Sequence, residues 1–232
     1  MAEHSTSDDL AARLNEVART LHRLDSAQAT LDEIVRAAVG TIPGAWHAGI
    51  MTITGRREIR TVATTDDVPR EVDQVQYDTG QGPCLTALYQ QKIVSAPDLS
   101  EEARWPLFAK RALALDVASM LSFRLYVEGD DLGALNLYSP DTRAFDEDSE
   151  HVGLLFAGHA AVALATAQER EHMADAVQTR DLIGQAKGIL MERHRLTADQ
   201  AFSVLVRTSQ RNNVKLRALA EHLTRTGELP SR

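Results

Sequence analysis

The stretch from Asp146 to His194 most constrains how this chain can fold, because it contains no proline over almost fifty residues. Acidic residues crowd its start, at positions 146–150, where the positive end of a helix dipole favours them. The sequence therefore predicts one long helix. A helix of this length cannot be buried throughout in one small domain, so we expect it to leave a first domain as a stalk and lead into a second.

A loose apolar seam along this helix predicts that it pairs with a second copy of the chain. The seam consists of Met173, Ala176, Val177, Ile183 and Leu190. Glu169 and Arg180 interrupt it, so the spacing departs from that of a regular coiled coil. We expect a homodimer in which the helix also carries a signal from one domain to the other.

The 232 residues carry a formal net charge of −8, which is distributed unevenly. Residues 1–179 hold 15 Lys and Arg against 28 Asp and Glu, a net charge of −13. Residues 180–232 hold 10 Lys and Arg against 5 Asp and Glu, a net charge of +5. A basic segment on an acidic body indicates a nucleic-acid partner, whereas an Arg-rich solvated helical face is the ordinary alternative.

The composition excludes several classes of protein. One cysteine cannot form an intramolecular disulfide framework or a cysteine-based zinc cluster, and the eight histidines show no metal-binding spacing. The chain has no run of 18 uncharged apolar residues and no secretory signal, which predicts a cytoplasmic protein without a membrane span. No phosphate-binding loop, dinucleotide fingerprint or nucleophile elbow is present, so we expect no catalytic site, no metal and no cofactor.

The sequence before the long helix predicts a mixed α+β domain with a mainly antiparallel sheet. Leucines spaced three or four residues apart predict helix within residues 8–40. Gly82 and Pro83 are typical of a helix start, and a further helix is expected near 105–115. The predicted strands are two hairpins and one short segment, namely 47–54 with 58–64, 118–127 with 132–138, and 92–95.

Two shorter helices are expected after the long one. Thr197 and Gln200 match the capping-box pattern at the start of a helix that runs to about Asn212. Thr226 and Gly227 end the last helix. The predicted inward faces are Ala201, Phe202, Leu205 and Thr208 on the first of these helices, and Leu216, Leu219, Ala220 and Leu223 on the second. Their core is so small that we expect it to depend on the stalk or on a second subunit.

Residues 180–223 contain a specific set of residues in a fixed order and spacing. The set comprises Ile183, Ala186-Lys187-Gly188-Ile189-Leu190-Met191, Ala201-Phe202, Leu205, Arg207, Lys215-Leu216 and Ala220. With this set the segment resembles an ANTAR domain, the RNA-binding module of bacterial transcription antiterminators. Val206 departs conservatively from the leucine that the family more often has. The resemblance implies a regulator that binds RNA stem-loops in nascent transcripts and prevents a competing terminator from forming.

The same segment offers the cations and polar groups that RNA binding requires. Gly188 costs up to about 1 kcal/mol in mid-helix, which predicts close approach of another helix or a ligand. Arg207 and Arg211 lie four residues apart, on one helical face. The predicted RNA-binding residues are Lys187, Gly188, Met191, Arg207, Gln210, Arg211, Lys215 and Arg217. These cations would alternatively only solubilise a dimeric helix bundle.

Aromatic stacking is not expected to contribute to this recognition. Phe202 is the only aromatic residue after Phe156, and its spacing assigns it to the helix core. Recognition would then rely on charge, hydrogen bonds and guanidinium stacking.

Three stretches of the acidic body suggest its family. They are LDEIVRAAV at 31–39, GQGPCLTAL at 80–88 and LGALNLYSPDTRAFDEDS at 132–149. With them the body resembles a GAF domain, a module that senses a small molecule or a protein partner. The resemblance implies a GAF-like sensor domain over residues 1–165, followed by the stalk and ANTAR domain over residues 166–232. The unidentified signal would control dimerisation or the presentation of the ANTAR domain to RNA.

Cys84 is the one candidate sensing residue of the body. It would occupy the second position of a helix, where unpaired N–H groups lower the pKa of a thiol and suit ligand or redox sensing. A buried small residue at the start of a packed helix is the ordinary alternative. Methionine-sulfoxide reductase activity, known among GAF proteins, needs more cysteines than one, so we exclude it.

Two alternatives to RNA binding remain open on the sequence alone. In the first, the tail only dimerises and the GAF domain recruits a partner, which makes the chain a protein-interaction module. In the second, the turn at Asn212 and Asn213 belongs to a DNA-binding helix-turn-helix, although the preceding helix is long for that compact motif.

Overall fold

The computed structural model describes residues 2–54, 58–89, 92–127 and 130–230. These residues divide into a first unit that ends at Glu169 and a second unit that begins at Arg170. The elements of the described residues are α1 (Ala2–His22), α2 (Ala27–Thr41), β1 (His47–Thr54), β2 (Glu58–Thr64), α3 (Asp67–Thr79), α4 (Pro83–Tyr89), β3 (Ile93–Ala96), α5 (Pro106–Leu113), β4 (Ser119–Val127), β5 (Asp130–Ser139), α6 (Glu147–His194), α7 (Ala198–Asn212) and α8 (Leu216–Thr226).

The first unit is built on a five-stranded sheet with the order β2-β1-β5-β4-β3. Every pair of neighbouring strands is antiparallel. The central strand β5 pairs with β1 from His47 opposite Tyr138, and with β4 from Ser119 opposite Ser139. The predicted α+β class and both predicted hairpins are confirmed, while the turn at 55–57 lies outside the described residues.

The two faces of the sheet bury different cores, because successive side chains of a strand point to opposite faces. One face packs against α1, α2 and α6. Its apolar residues include Leu121, Phe123, Leu135 and Leu137 from the strands and Ile34, Phe156 and Leu164 from the helices. The other face lies beneath α3, α4 and α5, and carries Met120 and Tyr138 together with Val72, Cys84 and Phe108. Burying each large apolar side chain contributes about 1.5–3 kcal/mol.

The helix α3 is an element that the sequence patterns do not predict. Its apolar residues Val68, Val72 and Val75 have helical spacing, but valine is more typical of strands. Asp66 caps the helix by accepting a hydrogen bond from Val68 N at 3.0 Å. Gly80 ends it in the left-handed conformation, with φ of 64°. The capping interactions and the packing against the sheet therefore override the valine preference.

The helix α6 runs unbroken for 48 residues, as the absence of proline predicts. Its early residues, including Phe156, Ala160 and Leu164, lie in the core of the first unit. By length and composition alone α6 could cross a membrane, but 44% of its most apolar stretch is buried inside the protein. Buried core helices commonly share this property.

The residues of the predicted seam of α6 differ in how far they are buried. Met173 and Val177 are 64% and 52% exposed, and Ala176 is exposed too. Ile183 is half-buried, whereas Leu190 lies in the core of the second unit. The exposed part of the seam therefore ends where the bundle of the second unit begins.

The second unit is a three-helix bundle formed by the end of α6 with α7 and α8. Its buried core consists of Ala186, Leu190, Ala201, Leu205, Leu219, Ala220 and Leu223. The predicted capping box is present, because Gln200 N donates to Thr197 Oγ1 at 3.3 Å and Thr197 N donates to Gln200 Oε1 at 2.9 Å. Gly227 ends α8 with φ of 76°.

Both tryptophans belong to the first unit. Trp46 precedes β1 and is exposed, whereas Trp105 is buried at the start of α5, where it is the N-cap residue. The guanidinium of Arg104 lies 4.2 Å from the ring centroid of Trp105. The second unit holds no tryptophan and no tyrosine.

Candidate functional site

The second unit carries most of its predicted RNA-binding cations at the surface. Arg207, Arg211 and Lys215 are exposed, and Lys187 is half-buried. Within the described ranges, none of these four side chains forms an ion pair. Their charges are therefore available to an anionic partner.

The ammonium of Lys187 lies over an aromatic ring that the sequence spacing assigns to the core. The Nζ atom is 6.0 Å from the centroid of the Phe202 ring. Phe202 is 41% exposed, so its predicted inward position is wrong. Ala201, Leu205 and Thr208 fill the inward face of α7, and Phe202 follows Ala201 by one residue, a rotation of roughly 100° about the helix axis.

A groove of about 760 Å³ opens on the second unit beside this pair. Its polar and aromatic lining comes from all three helices and includes Arg180, Lys187, Asp199, Phe202 and Arg217. Gly184 also lines the groove, and a Cβ at this position would have no neighbouring atom within 4 Å. The groove therefore combines an exposed ring, cations and bare helix backbone.

Arg217 differs from the other predicted RNA-binding cations because it already has partners on α6. Its Nη1 lies 3.3 Å from Asp175 Oδ1, and its Nη2 donates to Gln178 Oε1 at 2.8 Å. Partly exposed pairs of this kind contribute about 0–1 kcal/mol, so a phosphate could replace them at small cost.

Arg207 belongs to a neighbouring groove of about 820 Å³ that runs along α7. Its Nε donates to Ser203 O at 3.3 Å. Asp199 and Phe202 line both grooves, so the surfaces around Lys187 and Arg207 adjoin. Exposed Gln210 and Arg211 follow on α7, and exposed Lys215 is the N-cap residue of α8; none of these three lines either groove.

Gly188 and Met191 occupy different environments. Gly188 is exposed, and a Cβ there would meet nothing within 4 Å, so no helix of the described chain approaches it closely. Close approach of a ligand there remains a prediction. Gly184 and Gly188 together leave a bare strip of α6 backbone beside Lys187. Met191 is half-buried and packs against the core of the bundle. Its predicted contact with RNA remains a prediction.

The first unit contains a buried polar cluster between α3 and the sheet. Fully buried Asp73 accepts hydrogen bonds from Tyr138 Oη at 2.6 Å, Thr61 Oγ1 at 2.8 Å and Gln76 Nε2 at 3.2 Å. Burial raises the pKa of Asp73 to about 6, although the three hydrogen bonds act in the opposite direction. Burial likewise raises the pKa of Tyr138. The carboxyl therefore ties α3 to β2 and β5 at a cost in desolvation.

Two polar side chains near this cluster lack a hydrogen bond of ordinary geometry, although the amide of Asn136 interacts with the Cys84 thiol and the Tyr138 hydroxyl. Ser122 and Asn136 lie opposite each other on β4 and β5, and both are fully buried. In the part of the chain that the structure describes, Ser122 Oγ, Asn136 Nδ2 and Asn136 Oδ1 make no hydrogen bond of ordinary geometry. Because such groups are rare and costly, this face of the sheet is a candidate contact for a small polar molecule or for water. No sequence pattern pointed to this pair.

Cys84 lies on the same side of the sheet, at the predicted second position of α4. It is fully buried with Met51 and Ala134, and its backbone N donates to Gln76 Oε1 at 3.0 Å. Burial raises the pKa of the Cys84 thiol well above its ordinary value. Desolvation therefore outweighs the helix N-terminus, which favours the alternative of a small buried residue at the start of a packed helix over a thiol with a lowered pKa. A sensing role for the neutral thiol remains a prediction.

Comparison with known protein families identifies two domains in the chain. A GAF domain matches residues 25–165, and an ANTAR domain matches residues 171–223. Both kinds of domain occur in regulatory proteins. No curated protein matches the chain.

Solved structures share the fold of the first unit. The GAF domain of a phosphoenolpyruvate-protein phosphotransferase from Coxiella burnetii aligns with a TM-score of 0.54 and 15% identity over 70% of this chain and 96% of that chain. The corresponding GAF domain from Acinetobacter aligns with a TM-score of 0.53 and 15% identity, over 68% of this chain and 94% of that chain. The photosensory core module of a Stigmatella aurantiaca phytochrome aligns with a TM-score of 0.60 and 12% identity, over 87% of this chain and 44% of that chain.

At these identities the structural similarity establishes the fold alone, and the family matches carry the assignment. They cover most of the chain with two adjoining domains in the order of sensor and effector. The chain therefore belongs to the GAF-ANTAR proteins, a family of signal-responsive regulators.

Proposed function

We propose that this protein is a transcription antitermination regulator whose ANTAR domain binds RNA stem-loops in nascent transcripts. The observation that carries the proposal is the set of exposed or half-buried cations on the ANTAR domain that form no ion pair with a described residue, namely Lys187, Arg207, Arg211 and Lys215. Such side chains bind RNA phosphates, and exposed Gln210 adds a polar group for base contacts. A protein that acts on nascent bacterial transcripts works in the cytoplasm, and we propose that location.

In this proposal the GAF domain receives a small-molecule or protein signal. The buried polar atoms of Ser122 and Asn136, which form no hydrogen bond of ordinary geometry with a described residue, support a polar contact on the sheet face beneath α3 and α4. The signal would control dimerisation or the presentation of the ANTAR domain to RNA. Binding of the stem-loop then stabilises an RNA hairpin that competes with a terminator, and neither domain performs a chemical reaction.

Replacing Lys187 or Arg207 by alanine is expected to weaken stem-loop binding about tenfold at low salt, and replacing both about a hundredfold. The reason is that each charged contact to phosphate contributes on the order of 1.4 kcal/mol, which is a factor of ten. The measurement is a gel-shift titration with a paired stem-loop RNA at several salt concentrations. Each lost contact should also reduce the slope of log affinity against log salt by about one.

Arg225→Ala is the matched control, because Arg225 is exposed in the last turn of α8 and lines neither groove. It removes the same charge and should change affinity by less than about threefold. Circular dichroism checks that all variants keep their helices. Equal affinity of the wild-type protein and the double variant would contradict the proposed site.

We further propose that the protein is a homodimer whose contact includes the first half of α6. Leu154, Leu155 and Val162 are 45%, 40% and 60% exposed, and they line a groove of about 480 Å³ with Ala18 of α1. The ionisable residues that line it, among those described, are His22 and His159. A second copy is the proposed occupant, because a largely apolar surface can meet itself across a twofold axis.

Val162→Glu is expected to convert this dimer to a monomer, because it places an unpaired charge in the contact. Light scattering after size-exclusion chromatography measures the mass. Ala12→Glu adds the same charge at an exposed position of α1 outside the groove and should leave the dimer intact. If the wild-type protein is already monomeric, or if Val162→Glu stays dimeric, this surface is not the dimer contact. A purified dimer without RNA affinity would favour a protein-interaction module instead.

A further inference from the structure

We propose that Phe202 is a stacking platform for one unpaired nucleobase of the RNA loop. The groove between α6 and α7 would then bind a base together with its flanking phosphates. This inference rests on the proposed RNA-binding function and specifies which part of the RNA the site takes.

The first argument is the exposure of the Phe202 ring. It is the only Phe, Tyr or Trp ring of the ANTAR domain, and 41% of the residue is exposed. The buried face of α7 is complete without it, since Ala201 and Leu205 are fully buried and Thr208 is 5% exposed. An exposed apolar ring leaves hydrophobic stabilisation unrealised in the free protein, and that stabilisation is available to a ligand with an apolar face.

The second argument is the charge around the ring. Lys187 Nζ is 6.0 Å from the ring centroid, and Arg180 and Arg217 line the same groove. A nucleotide has the matching form, with a flat base between two anionic phosphates. Bases in the paired stem are already stacked within the helix, so the occupant is a base from the single-stranded loop.

The third argument is a carboxylate in an otherwise basic site. Asp199 lies one turn before Phe202 on α7, is exposed, lines both grooves and forms no ion pair with a described residue. A carboxylate repels phosphate but accepts hydrogen bonds from the amino group at the edge of a base. Adenine, cytosine and guanine carry an amino group, whereas the donor at the edge of uracil, N3–H, lies between two carbonyl oxygens that repel a carboxylate. We therefore expect the groove to disfavour uracil.

The space for the base comes from a missing side chain. Gly184 lines the groove, and no atom lies within 4 Å of where its Cβ would be. Replacing it by leucine would fill this part of the groove with an apolar side chain. Gly184→Leu should therefore lower RNA affinity without lowering helix content, because leucine favours a helix more than glycine does.

The test uses the full-length protein and a stem-loop RNA in which each loop position is replaced in turn by an abasic site. Phe202→Leu keeps an apolar, helix-forming residue and removes the aromatic face. It should weaken binding of the intact RNA about 5- to 150-fold, the range that corresponds to loss of one base–aromatic stack. Unlike Lys187→Ala, it should leave the salt slope unchanged, and Phe202→Tyr should restore affinity.

One abasic position should weaken binding to the wild-type protein and have little further effect on Phe202→Leu. An RNA with uracil at that position should bind more weakly than an RNA with cytosine there, and Asp199→Asn should reduce this difference in affinity. One outcome would overturn the stacking proposal alone. In it the wild-type protein binds the stem-loop RNA and Lys187→Ala weakens that binding, but Phe202→Leu binds the RNA as tightly as the wild type and every abasic RNA binds as tightly as the intact RNA. If Phe202→Leu changes only the mass of the particle, the ring is a protein contact. If the wild-type protein binds no stem-loop RNA, the proposed function falls as well.

Discussion

Replacing Asp73 by alanine is expected to lower the free energy of unfolding of the GAF domain by about 3 kcal/mol. Tyr138 Oη is fully buried and donates to Asp73 Oδ1, so the substitution leaves this donor without an acceptor. An orphaned buried donor costs about 1–3 kcal/mol, and the cavity left by the carboxyl adds to the loss. Urea denaturation followed by circular dichroism measures the change.

Asp78→Ala is the matched control on the same helix. Asp78 is exposed and pairs with Arg111 at 3.0 Å, an interaction worth about 0–1 kcal/mol. A loss for Asp78→Ala as large as that for Asp73→Ala would show that the buried network is not the source of the effect.

The buried carboxyl also predicts how stability depends on pH. Burial raises the pKa of Asp73 to about 6 from 3.8, so between these values the folded protein binds the proton more tightly than the unfolded chain. The resulting stability is complete below about pH 3.8 and is lost as the pH rises through about 6. The stability of the wild-type protein relative to Asp73→Asn should therefore fall from pH 4 to pH 7, by on the order of 2–3 kcal/mol. A difference that rises with pH would contradict this sign.

Replacing Gly133 by alanine is expected to be more severe and to prevent the GAF domain from folding at 37 °C. Gly133 lies in β5 with φ of 148°, and an added Cβ would collide with the carbonyl oxygen of Met51 on β1. Neither strand can move away without breaking central hydrogen bonds of the sheet. Backbone strain and overpacking together cost about 3–6 kcal/mol, a large part of the stability of a domain. Soluble yield and the melting temperature measure the effect.

Gly80→Ala separates the two causes of this loss. Gly80 also has a positive φ, of 64°, but a Cβ there would meet nothing within 4 Å. The control therefore carries backbone strain without a collision and should cost about 1–2 kcal/mol. If Gly133→Ala were as mild as Gly80→Ala, the close contact between β1 and β5 would not constrain the fold.

The parts of the structure that local rules govern were predictable from the sequence. Absence of proline indicated the continuous helix α6, and Thr197 with Gln200 indicated the start of α7. Phe202 shows the limit of such rules. The helical spacing correctly assigns Ala201 and Leu205 to the core. It does not determine whether Phe202, the next residue after Ala201, lies at the edge of the buried face or outside it. Packing of the assembled bundle decides that.

The buried cluster of the GAF domain shows a different limit. Asp73 binds Thr61, Gln76 and Tyr138, which are 12, 3 and 65 residues away in the sequence. The cluster exists only because α3 packs on the sheet, and α3 itself was not predicted from its valines. The position of Cys84 at a helix start was predictable, whereas the apolar environment that raises its pKa depends on residues from β1 and β5.

The two domains differ in their content of fluorescent aromatic residues. Trp46 and Trp105 both precede the long helix, and nothing after residue 156 except Phe202 is aromatic. Intrinsic tryptophan emission therefore reports on the GAF domain alone, because the ANTAR domain contains no tryptophan and no tyrosine. Candidate signals can be screened by fluorescence on the intact regulator, with its effector domain in place and with no added label.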